Sequence, residues 1–119
     1  MSARLRSDIW VSAYLRRCAV MGAVAVLRRR GAAEAGAIYI KLDWLDGRSS
    51  LFAPAPPDSD VEDDTERRFE CVLQETDAAS VEARMIREIR FDPDLWFVEV
   101  EDRQGRVFLD RKTGLLSGD

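Results

Sequence analysis

The chain has 119 residues, of which 46% are hydrophobic, 34% charged and 8% aromatic, enough for one domain that buries roughly two thirds of its unfolded surface without staples. The absence of histidine excludes Ser-His and Cys-His catalytic pairs and His-ligated zinc, and with only Cys18 and Cys71 a four-thiolate metal site within one chain is excluded as well. The net charge of −4 divides unevenly: residues 1–48 carry nine Arg/Lys against four Asp/Glu, and residues 49–119 carry nine against eighteen.

A first helix is expected from Ser7, a candidate N-cap, with Asp8 at the positive end of the helix dipole. Trp10, Val11, Tyr14, Leu15, Cys18 and Met21 fall within one arc, and a lesser stripe of Ile9, Ala13 and Val20 calls for cover on a second side. Gly22 is the expected stop. Arg16-Arg17 followed by the apolar run Cys18–Leu27 imitates an export signal. Arg28-Arg29-Arg30 immediately after the run, and the lack of a small-residue cleavage site, argue against that reading. The run is also far short of the ~20 residues that a membrane span needs. The expected location is the cytoplasm, with both cysteines reduced and buried.

Ala23–Leu27 is read as a strand ending in Arg28-Arg29-Arg30, and Gly31–Gly36 as a connection. Ile38, Ile40, Leu42 and Trp44 alternate with Tyr39, Lys41 and Asp43, the period of a half-buried strand. Asp46-Gly47 predicts a two-residue type I′ turn that pairs Leu42 with Leu51 and Ile40 with Ala53. Residues 53–66, with Pro54, Pro56, Pro57 and six carboxylates, read as an acidic surface loop. Phe69, Cys71 and Leu73 alternate as another strand. A second helix follows from an Asp77 N-cap to Pro93, with Val81, Met85, Ile86 and Ile89 as its buried stripe and Arg84, Arg87 and Arg90 opposite. Trp96, Val98 and Val100 mark a further strand. Arg106–Asp110 offers a hairpin partner for it, and residues 113–119 read as a tail.

This order, with a hairpin and no βαβ rhythm, predicts one α+β domain over residues 1–119: a mainly antiparallel sheet of about five strands with two helices packed on one face. Three stretches, Leu5–Arg17, Val26–Ile38 and Arg90–Trp96, resemble an alphaproteobacterial family of uncharacterised proteins, domain-of-unknown-function family 1491, over about residues 4–102. The resemblance implies a small α+β domain and carries no substrate, cofactor or site residue. It places the segment from Arg103 onward outside the family's core.

No catalytic set, metal site or cofactor site converges in the sequence. Asp58, Asp60 and Glu62 have the spacing of a calcium loop, but Asp63 stands where that loop needs glycine and Phe69 where it needs a bidentate glutamate. Asp92 and Asp94 flank Pro93 before Trp96, a carboxylate pair that suits acid–base work or, more plainly, a turn. Trp10, Trp44 and Trp96 are read as core residues. Arg28, Arg29, Arg30, Arg84, Arg87 and Arg90 are the candidate binding residues. The first functional reading is a non-enzymatic protein-interaction module that docks through the arginines at 28–30 or the acidic loop. The second is RNA or DNA binding, which requires the six arginines to share one face. The third is a histidine-independent enzyme using carboxylates. Partners are another protein or nucleic acid, with no membrane; the oligomeric state is not legible.

Overall fold

The computed structural model describes residues 4–56 and 67–109. Its elements are α1 (Ser7–Val20), β1 (Val24–Arg29), β2 (Ile38–Asp43), β3 (Ser49–Pro54), β4 (Phe69–Thr76), α2 (Ala78–Phe91) and β5 (Trp96–Glu101). The strands form one sheet in the order β1-β5-β2-β3-β4. All neighbours are antiparallel except β2 and β5, which run parallel with Ile38 opposite Trp96 and Asp43 opposite Glu101. The α+β architecture and the mainly antiparallel five-stranded sheet expected from the sequence are present. Residues 57–66 of the acidic loop and the 113–119 tail lie outside the described residues.

The helices differ from expectation in their placement, because they cover opposite faces of the sheet. Val11, Tyr14 and Cys18 of α1 pack with Ile38, Ile40, Leu42, Trp96, Val98 and Val100. Val81 and Met85 of α2 pack with Leu51, Leu95 and Phe97 on the other side, backed by Tyr39. The reason is the placement of β2 and β5 inside the sheet, where both faces of a strand are buried and alternation no longer separates core from solvent. The chain also makes a crossover that its pattern does not announce. β4 and β5 point the same way, and α2 joins them across one face.

Two one-residue shifts move side chains across the sheet. The β2–β3 turn uses Leu45, Asp46 and Gly47, with Leu45 and Gly47 at positive φ, and the Trp44 amide donates to the Arg48 carbonyl at 3.1 Å. This extra residue sets Leu51 opposite Lys41 and Phe52 opposite Ile40, so Leu51 joins the α2 side instead of the Ile40/Leu42 face. A bulge in the β3–β4 ladder does the same to β4. Phe69 and Cys71 stay on the α1 side, while Leu73 turns to α2.

The helix ends follow local chemistry. Asp77 caps α2 by accepting the Ser80 amide at 2.7 Å, as expected. Ser7 is not a cap: it lies within the first turn of α1, and its buried hydroxyl donates to the Gly36 carbonyl at 2.7 Å. Among the described residues no second neighbour covers the lesser stripe of α1, and Ile9 and Val20 are exposed. In α2, Ile86 is 57% exposed and leaves the buried stripe. Residues 106–109 form no strand. They run irregularly along α1, where buried Val107 accepts the Tyr14 hydroxyl at 2.5 Å and Phe108 accepts Arg17 at 3.2 Å. The segment beyond Arg103 is thus part of the core as far as residue 109.

Met85→Ala is expected to lower unfolding stability by about 2–5 kcal/mol, and Ile86→Ala to change it by less than about 0.5 kcal/mol, in urea titrations followed by tryptophan fluorescence. Equal losses would contradict the assigned face of α2. A Cβ at Gly105, which has φ +73, would overlap the Trp44 ring. Gly105→Ala should therefore lower the thermal midpoint by several degrees, showing that residues 103–109 fold with the domain.

Candidate functional site

The six candidate arginines do not assemble on one face. Arg28 leans to the α2 side, its guanidinium 4.8 Å from the Phe97 ring centre, and Arg30 lies 5.1 Å from the centre of Trp96 on the α1 side. Between them Arg29 donates to the Pro93 carbonyl at 2.7 Å. In α2, Arg84 pairs with Glu88 one turn on at 2.7 Å, while Arg87 and Arg90 are exposed. Strict alternation would keep residues 28 and 30 on one face; the register shift between Leu27 and Arg29 breaks it and splits them.

Arg28 belongs to a closed set of charges that the sequence reading missed. Its Nη2 lies 2.8 Å from Glu82 and its Nη1 2.6 Å from Glu99. Lys41 lies 2.8 Å from Glu82 and 3.6 Å from Glu99, with its side chain 6% exposed. Two cations and two carboxylates alternate, so the buried ammonium is neutralised from both sides. The Arg28 hydrogen bond, aided by that from Lys41, pulls the Glu82 carboxyl down to about 2 against its own desolvation. Glu82 in turn holds the Arg28 guanidinium above its ordinary range. Alternation in β2 sets Lys41 opposite the Ile38, Ile40 and Leu42 face, and it is buried because β2 lies inside the sheet.

Asp43, Glu99 and Glu101 bring carboxylate oxygens within 4.8 Å of one another at the adjacent strand ends. Glu99 is engaged by Arg28 and Lys41, and Asp43 accepts the Leu45 amide at 2.8 Å. The trio therefore has structural work already. Asp92 accepts the Asp94 amide at 3.1 Å, and the Asp94 carbonyl accepts the Ala32 amide at 2.8 Å, which makes this pair a turn that ties the Gly31–Gly36 connection to β5. Cys18 and Cys71 are free thiols, both pushed up chiefly by burial, which leaves less of the reactive thiolate. Trp96 is fully buried and donates to the Ala32 carbonyl at 2.7 Å; Trp10 stacks on Tyr14, and Trp44 lies under Arg48.

A groove of about 370 Å³ opens between α1 and the end of β1. Ile9, Ala13, Leu27 and Trp96 give it apolar walls, and Arg16, Arg30 and Asp8 stand at it. Ile9 is 50% exposed and Leu27 39%, so the stripe of α1 that found no cover meets the edge strand here. Among the described residues β1 pairs only with β5, and it presents Val24 and Val26 to solvent.

The charge set makes a pH-dependent contribution with a defined sign. The folded-state value for Glu82 lies below the ordinary 4.5, so its stabilisation is present above pH 4.5 and is lost as the pH falls toward about 2. Glu82→Gln should be less stable than the parent at pH 7, with the difference narrowing over that window and shrinking with added salt. Urea midpoints measured across the pH range check this; a pH-independent difference would refute it.

The description "Protein of unknown function (DUF1491)" matches residues 5–110. Among solved structures, the chain is similar to a protein from A. tumefaciens known from a solution structure, with 44% identity, TM-score 0.74, and coverage of 82% of this chain and 86% of that one. It is also similar to a DUF1491 family protein from Caulobacter crescentus CB15, whose crystal structure gives 39% identity, TM-score 0.74, and coverage of 88% and 92%. A search of curated proteins finds no match. No helix among the described residues is long and apolar enough to cross a membrane. The chain belongs to the DUF1491 family of proteins of unknown function.

Proposed function

We propose that this domain is a non-enzymatic interaction module whose docking surface is the β1 edge together with the α1–β1 groove. The observation that carries the reading is the groove itself, where exposed Ile9 and Leu27 lie beside Arg16 and Arg30. An unpaired strand edge offers main-chain hydrogen bonds to an extended peptide, and the groove offers a seat for its side chains. Two guanidiniums against the one carboxylate of Asp8 favour a partner segment that is apolar and acidic. Of the arginines at 28–30, the proposed surface uses Arg30 alone, since Arg28 is spent on the internal charge set and Arg29 on the Pro93 carbonyl. Free thiols suit a reducing compartment, and we place the protein in the cytoplasm.

Nucleic-acid binding through all six arginines has less support, since Arg28 and Arg84 are engaged by carboxylates and Arg28 and Arg30 face opposite ways. Selection from a displayed library of random peptides tests the proposal. Acidic, apolar sequences are expected, with amide shifts at Val24–Arg30 and Ile9 and with binding lost in Leu27→Glu and Arg30→Glu. Selection of no sequence, or binding indifferent to both substitutions, would overturn it. Shifts produced at the six arginines by a short RNA or DNA, and not by any peptide, would replace it with the nucleic-acid reading.

A further inference from the structure

Half of the large hydrophobic side chains exposed among the described residues lie in one stretch: Val20, Met21, Val24, Val26 and Leu27, at the end of α1 and along β1. Single exposed apolar residues are ordinary, but a row of them on an unpaired strand marks a contact surface. The opposite edge of the sheet is built otherwise. β4 exposes Glu70, Gln74 and Glu75 and no large apolar side chain. Charge on an edge strand discourages pairing with another chain, and β1 carries none from Val24 to Leu27.

The charges at the two ends of β1 select the chain that fits it. Its start lies beside acid: Val24 is opposite Glu101 and Val26 opposite Glu99, and Asp43 adds a third carboxylate oxygen within 4.8 Å. Glu99 and Asp43 are engaged, whereas the Glu101 carboxylate has neither a hydrogen bond nor an ion pair among the described residues. Its other end is basic. Arg28 serves the internal charge set, but Arg29 and Arg30 form no ion pair among the described residues. A second copy laid antiparallel along β1 matches this polarity twice, because a twofold axis sets the basic end of each strand beside the acidic start of the other. A parallel copy would set like charges together.

We propose that two copies of this chain pair antiparallel through β1, with the twofold axis at Val26, so that their sheets join into one. In that register Val26 meets Val26 of the second copy and Val24 meets its Arg28. The arginine end then stands two strand spacings, roughly 10 Å, from Glu101, a separation at which salt begins to screen the attraction. The inference rests on the reading of β1 as the docking edge and names what holds that edge when no peptide does. A peptide must then displace the second copy.

Sedimentation equilibrium of the whole protein over a wide concentration range, at low and high salt, is the test. A monomer–dimer equilibrium that weakens with salt is expected. Val26→Lys sets two ammonium groups at the axis and should weaken the dimer by at least about tenfold. Its urea midpoint should match the parent's at concentrations where both are monomeric, because Val26 is exposed in the single chain. Glu101→Arg should weaken the dimer as well. On mild oxidation Val26→Cys should form an intermolecular disulfide, since directly opposed residues lie within the span that a disulfide bridges. Ile86→Cys, comparably exposed on α2, should not. A monomer at every concentration overturns the proposal, as does a dimer unchanged by Val26→Lys or cross-linked as readily through Ile86→Cys. A monomer that binds the selected peptides overturns self-pairing alone, and a Val26-dependent dimer that binds none supports it and removes the peptide reading.

Discussion

The parallel pairing of β2 with β5 puts bulky apolar side chains on both faces of the sheet at its centre, and neither face can be left to water. Ile38, Ile40, Leu42, Trp96, Val98 and Val100 need one cover, and Tyr39 and Phe97 need another. Two helices on one face would leave one of these sets exposed. The last strand is also inserted between the first two, so the centre is built from residues 24–43 and 96–101, distant in sequence. Such pairings meet their loop-closure cost before any contact rewards them. The glycine-flanked connection serves this insertion. Gly31 and Gly36 pass so close to the Asp94 carbonyl that a Cβ at either would overlap it.

Placing α2 on β3 and β4 leaves the β5–β1 half of its face without a helix. Polar and charged residues take over there. Glu82 reaches from α2 to Arg28 on β1 and Lys41 on β2, and Glu99 on β5 completes the set. A lone lysine this buried would be costly; alternation of two positive and two negative groups makes it tolerable. The set ties the helix to the half of the sheet that it does not cover. It also withdraws Arg28 and Glu99 from any external ligand, which is why a count of surface charges overstates what the arginine run can bind.

What remains available is peripheral: the β1 edge, the uncovered stripe of α1 and Arg30. The candidate catalytic groups, in contrast, are absorbed by the fold: Asp92 holds a turn, Cys18 and Cys71 pack in the core, and Asp43 braces the hairpin. The family assignment agrees with the described fold over nearly its whole length and brings no chemistry with it.

Local rules account for much of the sequence reading. The Asp77 cap, the alternation in β2 and β5, and the glycine after α1 depend on neighbours a few residues away, and each is legible there. The hairpin is legible to within one residue, and that residue decided the face of Leu51. The role of Arg28 was hidden because it depends on Glu82 and Glu99, neither of them near it in the chain. The amino-acid sequence by itself determined a histidine-free α+β domain, its helices and strands, and a surplus of arginine without a catalytic partner set. Only the tertiary structure decided which arginines are spent internally and which line a groove. Charge is a property of a residue, but its availability depends on what folding brings within a few ångströms of it.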